Sequence, residues 1–315
     1  MYNRRVTDSP PPARRATRTE PREIAELRQI RLDQPELAEA VDLQIELLAL
    51  QRRVQARLPL PWFEIDPTWA RAQLDEGMPL LRFEEIPVDW TELRLVFRQA
   101  ADILLRFGTI EADDHRHVQA LARAGNRLEP LVAQWYKAAA GMSPAARQAA
   151  GSAASGPGPT ANGARTASLP VPVSRDALDQ VLALAMRPFL ERCAESIQQR
   201  TDLTSWKEPY CPLCGGEVEF AVITPSAERL LICSRCSARW RFDALACPFC
   251  RNGDRSRITS FTSRDGRYRL YACDVCRRYL KAYDGRSAGR PLLLAVDTIA
   301  TLPLDAAAIK KGYRG

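Results

Sequence analysis

The amino-acid sequence predicts an α+β protein, in which an N-terminal all-helical domain is followed by two tandem zinc-ribbon β modules. Three observations support this fold class. Eight of the nine cysteines form four Cys-x-x-Cys pairs between Cys211 and Cys276. In most of the sequence before these pairs, apolar residues recur at the spacing of an α-helix. The residues between the pairs alternate between apolar and polar, as strands do, and carry turn signals.

The chain of 315 residues is long enough for two or three domains with full cores. Its composition changes along the length, which predicts the division that follows. We expect a disordered tail at 1–21, a helical domain at 22–140, an Ala/Gly/Ser/Pro linker at 141–172, a connecting helix at 173–205, the first four-cysteine ribbon at 206–245 and the second at 246–315.

Helical periodicity begins near Arg22 and is interrupted at Pro35, so two helices are expected on either side of that proline. A third helix is expected after Asp89, which has the spacing of a capping residue. A fourth should run as one piece from Asp113 to Tyr136. These helices are amphipathic, and we therefore expect them to pack around a shared core.

The stretch before the cysteine pairs consists of a linker and a helix. Residues 141–172 hold few large apolar groups and cannot bury a core. Ser174 is a candidate N-cap for the helix that follows. Cys193 lies on the apolar face of this helix, which indicates a buried structural thiol rather than a ninth metal ligand.

Each Cys-x-x-Cys pair can offer both sulfurs to one ion from a single tight turn, and two such turns complete a tetrahedral shell. Pairing in sequence order gives C-x2-C-x18-C-x2-C, which is within the usual zinc-ribbon interval, and C-x2-C-x22-C-x2-C, which is near it. A cross-braced arrangement, with the first pair joined to the third, is the alternative, and we expect the sequential one. The eight candidate metal ligands are Cys211, Cys214, Cys233, Cys236, Cys247, Cys250, Cys273 and Cys276.

Each pair of cysteine turns is joined by a predicted hairpin. In the first half, strands at 218–222 and 230–232 flank a turn at 224–226, and in the second, strands at 258–262 and 268–271 flank Asp265-Gly266. Gly215 directly follows the first cysteine turn, where a left-handed backbone is expected, and Arg251 and Arg277 occupy equivalent places.

Two cofactors are expected, each a metal ion held by four cysteines, and they are either iron or zinc. A closed four-sulfur shell has no open position for water or substrate, which disfavours Lewis-acid catalysis. The sequence shows no Ser-His-Asp or Cys-His arrangement, and we therefore do not expect an enzyme.

Composition and charge favour a protein of the cytoplasm. Purely apolar runs such as residues 292–296 are too short to cross a bilayer, and no apolar segment follows Arg4-Arg5 as a signal peptide would require. Metal-held cysteines suit a reducing compartment. The net charge is +7, most of it in residues 201–290, which is compatible with either a nucleic acid or an acidic protein partner.

The cysteine region resembles a known family, the formate dehydrogenase accessory protein FdhE. The residues that carry the resemblance are Cys211-Pro-Leu-Cys214-Gly215, Cys233-Ser-Arg-Cys236 with Trp240, Cys247-Pro-Phe-Cys250, Cys273-Asp-Val-Cys276 with Tyr279-Leu280-Lys281, and the tail from Val296-Asp297-Thr298 through Lys311-Gly312-Tyr313. The match is specific from about Leu203 to Tyr313.

The resemblance implies rubredoxin-like modules, with the eight cysteines as metal ligands, followed by a C-terminal helix. It further implies a cytoplasmic, non-enzymatic maturation factor. Such a factor binds the catalytic subunit of respiratory formate dehydrogenase and is needed for its activity or assembly before export. The arginines around the pairs are expected to steer an acidic partner; they are Arg235, Arg239, Arg241, Arg251, Arg255 and Arg257.

Two other functions remain open from the residues. A double zinc ribbon with excess positive charge can bind DNA or RNA, although no recognition-helix motif is present. A redox enzyme would need a free dithiol, which four pairs in metal shells do not leave. The nucleic-acid-binding ribbon is the main alternative.

Overall fold

The computed structural model describes residues 20–140, 174–287 and 289–315. Nearly all of the expected disordered tail and the whole expected linker lie outside these residues. The described residues form nine α-helices and six strands. No described helix is both long and apolar enough to span a bilayer.

Seven helices precede the strands and form one helical body. They are α1 (Arg22–Asp33), α2 (Ala38–Gln55), α3 (Pro67–Asp75), α4 (Trp90–Arg106), α5 (Ala112–Arg123), α6 (Leu128–Ala140) and α7 (Arg175–Gln198). The apolar faces of α2 to α7 meet in one core, to which α2, α4 and α7 contribute most of the packing. Leu27 of α1 lies in a smaller cluster with Val41 of α2 and with Val296 and Ile299 near the C-terminus.

Two predicted caps are present. The Asp89 carboxylate accepts hydrogen bonds from the backbone N–H groups of Thr91 and Glu92, and the Ser174 hydroxyl accepts one from Ala177. Both satisfy N–H groups that a helix start leaves without partners.

The predicted single helix from Asp113 to Tyr136 is wrong, because the chain forms α5 and α6 with a break at residues 124–127. Ala124 leaves the helical conformation at ψ 89°. Gly125 and Asn126 follow, and both residue types have low helix propensity. The apolar periodicity continues through the break, which is why the pattern alone joined the two helices.

The six strands are β1 (Val218–Ile223), β2 (Arg229–Cys233), β3 (Arg239–Arg241), β4 (Ile258–Thr262), β5 (Tyr268–Cys273) and β6 (Tyr279–Asp284). They form one sheet in the order β3-β2-β1-β6-β5-β4. Neighbouring strands are antiparallel except β1 and β6, which are parallel. The four strands of the two predicted hairpins are β1, β2, β4 and β5.

Strand β6 joins the two ribbons. Ala282 of β6 lies opposite Ala221 of β1, so the sheets of both ribbons become continuous. At the end of β6 the N–H of Gly285 donates to the Ile223 carbonyl at 2.8 Å. A Cβ at Gly285 would lie 2.7 Å from that oxygen, so only glycine allows this approach.

The sheet lies between two helical layers, and the alternation of its side chains decides which layer each one meets. In β1, Ala221 and Ile223 face the core of the helical body, while Phe220 faces the other side. That other side is covered by α8 (Leu294–Ala300) and α9 (Leu302–Lys310). The expected C-terminal helix is thus two short helices meeting at Thr301.

A buried carboxylate fixes these C-terminal helices. Asp297 is fully buried and accepts hydrogen bonds from the Tyr268 hydroxyl at 2.6 Å and from the Arg290 guanidinium at 2.6 Å. Arg290 also pairs with Glu26 of α1 at 2.8 Å. The C-terminal helices are therefore tied both to the sheet and to the first helix of the body.

Candidate metal centres

All four Cys-x-x-Cys turns have the same backbone hydrogen bonds. The residue after the second cysteine donates its N–H to the carbonyl of the first cysteine at 2.8–3.2 Å. The first cysteine donates its own N–H to the backbone carbonyl of the residue five positions later, at 2.8–3.0 Å. Each turn therefore presents both of its sulfurs on one side.

The residue after each second cysteine adopts the left-handed conformation that closes the turn. The φ angles are 69° at Gly215, 54° at Ser237, 60° at Arg251 and 57° at Arg277. Only glycine takes this conformation without steric cost, so the other three turns hold a strained residue. The sequence predicted a left-handed backbone at Gly215 and named Arg251 and Arg277 as the equivalent positions. Ser237 was not named, because only its place in the repeat marks it.

The eight sulfurs form two separate tetrads in sequence order. Site 1 consists of Cys211, Cys214, Cys233 and Cys236, and site 2 of Cys247, Cys250, Cys273 and Cys276. Within each tetrad all four sulfurs lie within 4.8 Å of one another. The cross-braced alternative is not what the structure shows.

The spacing of the sulfurs fits a tetrahedral metal ion. Three Sγ–Sγ distances in site 1 are 3.4–3.5 Å, and two in site 2 are 3.7 Å. A regular tetrahedron with metal–sulfur bonds of about 2.3 Å has sulfur–sulfur edges of about 3.8 Å. A disulfide would need about 2.05 Å, and all eight cysteines are free thiols.

The shifted pKa values of the cysteine thiols are also compatible with a bound cation. Contact with Cys211 lowers the pKa of Cys214, and contact with Cys247 lowers the pKa of Cys276 to about 5. Cys211 and Cys236 shift in the opposite direction, because desolvation by burial raises the pKa of both thiols well above the ordinary value. Four buried sulfurs cannot all ionise without a bound positive charge.

Site 1 is built into the helical body. The turn that holds Cys211 and Cys214 accepts two backbone hydrogen bonds from the loop before α4, at 2.9 Å each, from Leu80 to Pro212 and from Leu81 to Leu213. The sulfurs of site 1 are almost completely buried and belong to the same core as the helices.

The second turn of site 1 is held by α6 and α7. Arg187 of α7 donates to the Ser234 carbonyl at 2.6 Å, and Ser237 donates to Glu191 at 2.6 Å. The guanidinium of Arg235 stacks on the Trp135 ring at 3.9 Å. Site 1 therefore links the sheet to the helices that precede it.

Site 2 lies at the end of the sheet and is less enclosed. Cys250 is partly exposed, and the side chain of Val275, in the turn between Cys273 and Cys276, is 45% exposed. The turn around Cys273 is held by the last residues of the chain. Arg277 stacks on Tyr313 at 4.0 Å, and the Tyr313 hydroxyl donates to Asp274 at 2.5 Å.

The remaining predicted residues fall as follows. Cys193 is fully buried and belongs to neither tetrad, and burial raises its thiol pKa to about 12, so it stays protonated. Of the arginines expected to steer a partner, Arg241 and Arg251 form ion pairs within the chain. Arg235 stacks as described above, which leaves Arg239, Arg255 and Arg257 without an ion pair among the described residues.

The fold and the tetrads define a class of protein: a helical body carrying two rubredoxin-like four-cysteine ribbons that share one sheet. The comparisons agree with this class. The crystal structure of the FdhE protein from Pseudomonas aeruginosa aligns with 93% of this chain and 91% of its own, with a TM-score of 0.53 and 20% identity. The chain therefore has the fold of FdhE, and the fold class predicted from the sequence is confirmed. No protein-family model and no curated protein matches the sequence.

Proposed function

We propose that this chain is an FdhE-type accessory factor of the cytoplasm, which binds the catalytic subunit of respiratory formate dehydrogenase and is needed for its activity or assembly before export. One observation carries the proposal. The fold of FdhE extends over 93% of the chain, and within it the cysteines on which the sequence resemblance rests form two complete tetrads.

The eight cysteines of sites 1 and 2 would hold the two metal ions, iron or zinc. Each ion would lock two tight turns together and offset the negative charge of its thiolates. The protein supplies all four ligands in each shell, so the sites suit a structural or one-electron role rather than the binding of a substrate. We therefore propose a binding protein and not an enzyme.

Contacts that join the parts of the chain support a role in binding a client. Site 1 fixes the sheet to the helical body, and the Asp297 contacts fix the C-terminal helices to both. A surface held in one conformation before binding loses less entropy when a partner docks.

Capture from cells tests the proposal. Tagged protein, purified without oxygen from the organism that encodes it, is expected to retain the formate dehydrogenase catalytic subunit. The C247S/C250S variant should retain less of it, because site 2 can no longer close. The G253A variant is the matched control, since a Cβ at Gly253 meets nothing within 4 Å. Capture of other proteins in place of this subunit, or a salt-dependent nucleic-acid complex, would contradict the proposal.

A further inference from the structure

One edge of the sheet is open. Strand β4 ends the sheet order and pairs only with β5. Flanking hydrogen bonds set its orientation: Asp274 donates to the Arg257 carbonyl at 2.8 Å, and Ser263 donates to the Tyr268 carbonyl at 2.9 Å. Odd-numbered residues of β4 therefore bond to β5, and the backbone groups of Ser260 and Thr262 point away from the sheet.

The opposite edge is protected. Strand β3 has only three residues, and the Gln198 side chain of α7 donates to the Arg239 carbonyl at 3.1 Å. No described residue covers β4 in the same way. Natural proteins normally shield an edge with proline, a bulge or a covering element, because an open edge accepts another strand.

Strand β4 itself has none of these protective features. Its register with β5 is regular from Ile258 to Thr262, and the strand contains no proline. The side chains of Ser260 and Thr262 are exposed and small. An incoming extended chain would therefore meet free backbone groups and little steric bulk.

The open edge is flanked by unpaired positive charge. Arg255 and Arg257 precede β4, Arg264 follows it, and all three are exposed without an ion pair among the described residues. The neighbouring carboxylates Asp254 and Asp265 offset only part of this charge, and Asp254 attracts Arg257. Asp254 accepts from the Ser256 hydroxyl at 2.7 Å, and Asp265 pairs with Arg267 at 2.5 Å.

This charge distinguishes between possible occupants. In a second copy of the chain, antiparallel pairing centred on Ser260 would set residues 253–257 of one copy against residues 263–267 of the other. Arg255 would then meet Asp265, but each of the two segments carries a net charge of +1, so the segments as a whole repel. An acidic segment would instead find an opposite charge at both ends of the strand. The edge therefore fits an acidic peptide better than it fits itself.

We propose that β4 is a docking edge for an extended acidic segment of a partner protein, which adds a seventh strand to the sheet. Backbone hydrogen bonds to Ser260 and Thr262 would hold the segment, and Arg255, Arg257 and Arg264 would select its charge. Ile258 pairs with Cys273, so site 2 anchors the start of this edge. The proposal concerns the surface alone and does not depend on which enzyme is the client.

A random heptapeptide phage library, selected on the metal-loaded full chain, tests the class of ligand. We expect the selected peptides to be enriched in Asp and Glu and to contain little proline. A synthetic peptide of the enriched sequence should bind at least tenfold more weakly to the R255E/R257E variant. The R123E/R127E variant is the matched control, because Arg123 and Arg127 are exposed on the helical body and likewise have no ion pair among the described residues.

Hydrogen exchange tests the geometry. The amides of Ser260 and Thr262 should exchange rapidly in the free protein and slowly with the peptide bound. The S260P variant should weaken binding at least tenfold while retaining both metal ions, since the N–H it removes faces away from β5. Peptides without acidic enrichment, or binding unchanged in both variants, would overturn the proposal. Protection of these amides in the absence of peptide would also overturn it. Protection that rises with protein concentration would indicate a dimer, and protection lost on deleting residues 141–173 would indicate that this segment occupies the edge.

Discussion

At the scale of single residues, the four cysteine turns show how little sequence is needed to build a metal shell. A cysteine pair at a spacing of two residues and a left-handed residue after it are enough to aim both sulfurs the same way. Glycine fills this position once, at Gly215, while serine and arginine fill it elsewhere. The side chains of Ser237 and Arg251 make contacts with Glu191 and Glu208, which offset part of the strain.

Gly216 offers a test of the packing around site 1. A Cβ at this position would lie 2.9 Å from the Cys233 sulfur and 3.1 Å from the Arg235 side chain. The G216A variant should therefore displace a ligand and weaken metal binding at site 1 by about tenfold, as changes next to metal ligands commonly do. Transfer of the metal to a colorimetric chelator measures the effect.

The control for this variant is G253A in the second ribbon, where the added Cβ meets no atom within 4 Å. It should release metal at the wild-type rate. Equal rates for G216A and wild type would mean that the backbone at Gly216 moves away freely, contrary to the close packing described for site 1.

Asp284, at the end of β6, predicts a dependence of stability on pH. The side chain is fully buried, and hydrogen bonds from Arg286 and Arg269 hold the pKa of its carboxyl far below the ordinary value. A lowered folded-state pKa stabilises the protein above the unfolded pKa of about 3.9, and this contribution is lost as the pH falls below it.

The D284N variant removes this contribution. At pH 7 it should be less stable than wild type by roughly 1.5–3 kcal/mol, the range for hydrogen bonds to a charged group. The difference should shrink as the pH falls from 5 to 3. Thermal unfolding of both proteins across this range measures it, and metal release affects the two equally. A D75N variant, which loses only an exposed pair with Arg71, should differ little from wild type at any pH.

At the scale of elements, local signals predicted the hairpins well and the connections between them poorly. Strands β1, β2, β4 and β5 follow from alternation and from turn residues such as Asp265-Gly266. Strand β6 was missed, although it pairs with β5 across the last cysteine turn as β3 pairs with β2 across the second, because Tyr279 to Asp284 shows no strict apolar alternation. Its parallel pairing with β1 is a long-range contact that no local pattern encodes.

The two tetrads should respond differently when they are opened. Wild-type protein should hold about two ions in sulfur-only shells, and the C211S/C214S and C247S/C250S variants about one each. Loss of site 1 should also destabilise the helical body, because Leu80 and Leu81 bond to its first turn. Loss of site 2 should leave the helices intact, because it contacts mainly the end of the sheet and the last residues of the chain.

Metal analysis together with circular dichroism on heating separates these outcomes. If either double variant lost both ions, the tetrads would not be independent. If the two variants lost helical stability equally, site 1 would have no special part in joining the sheet to the helical body.

At the scale of the whole molecule, the sequence predicted the helices, the hairpins and their order along the chain. It did not predict that the two ribbons share one sheet or that this sheet packs on the helical body. The predicted ribbons share one sheet through Ala221 and Ala282, and the core of the helical body continues into site 1. Two features join distant parts of the chain, the Arg290 bridge to Glu26 and the covering of the sheet by α8 and α9. Both depend on side chains that meet only after folding, and composition and periodicity carry no information about them.

The function proposed for the whole molecule is tested most directly by deleting its gene in the organism that encodes it and measuring formate oxidation by the respiratory chain. The account predicts low formate dehydrogenase activity with normal transcript levels for the enzyme's subunits. Wild-type protein and the G253A variant should restore the activity, and the C247S/C250S variant should not. Undiminished formate oxidation in the deletion strain, with no second copy of the gene present, would contradict the account.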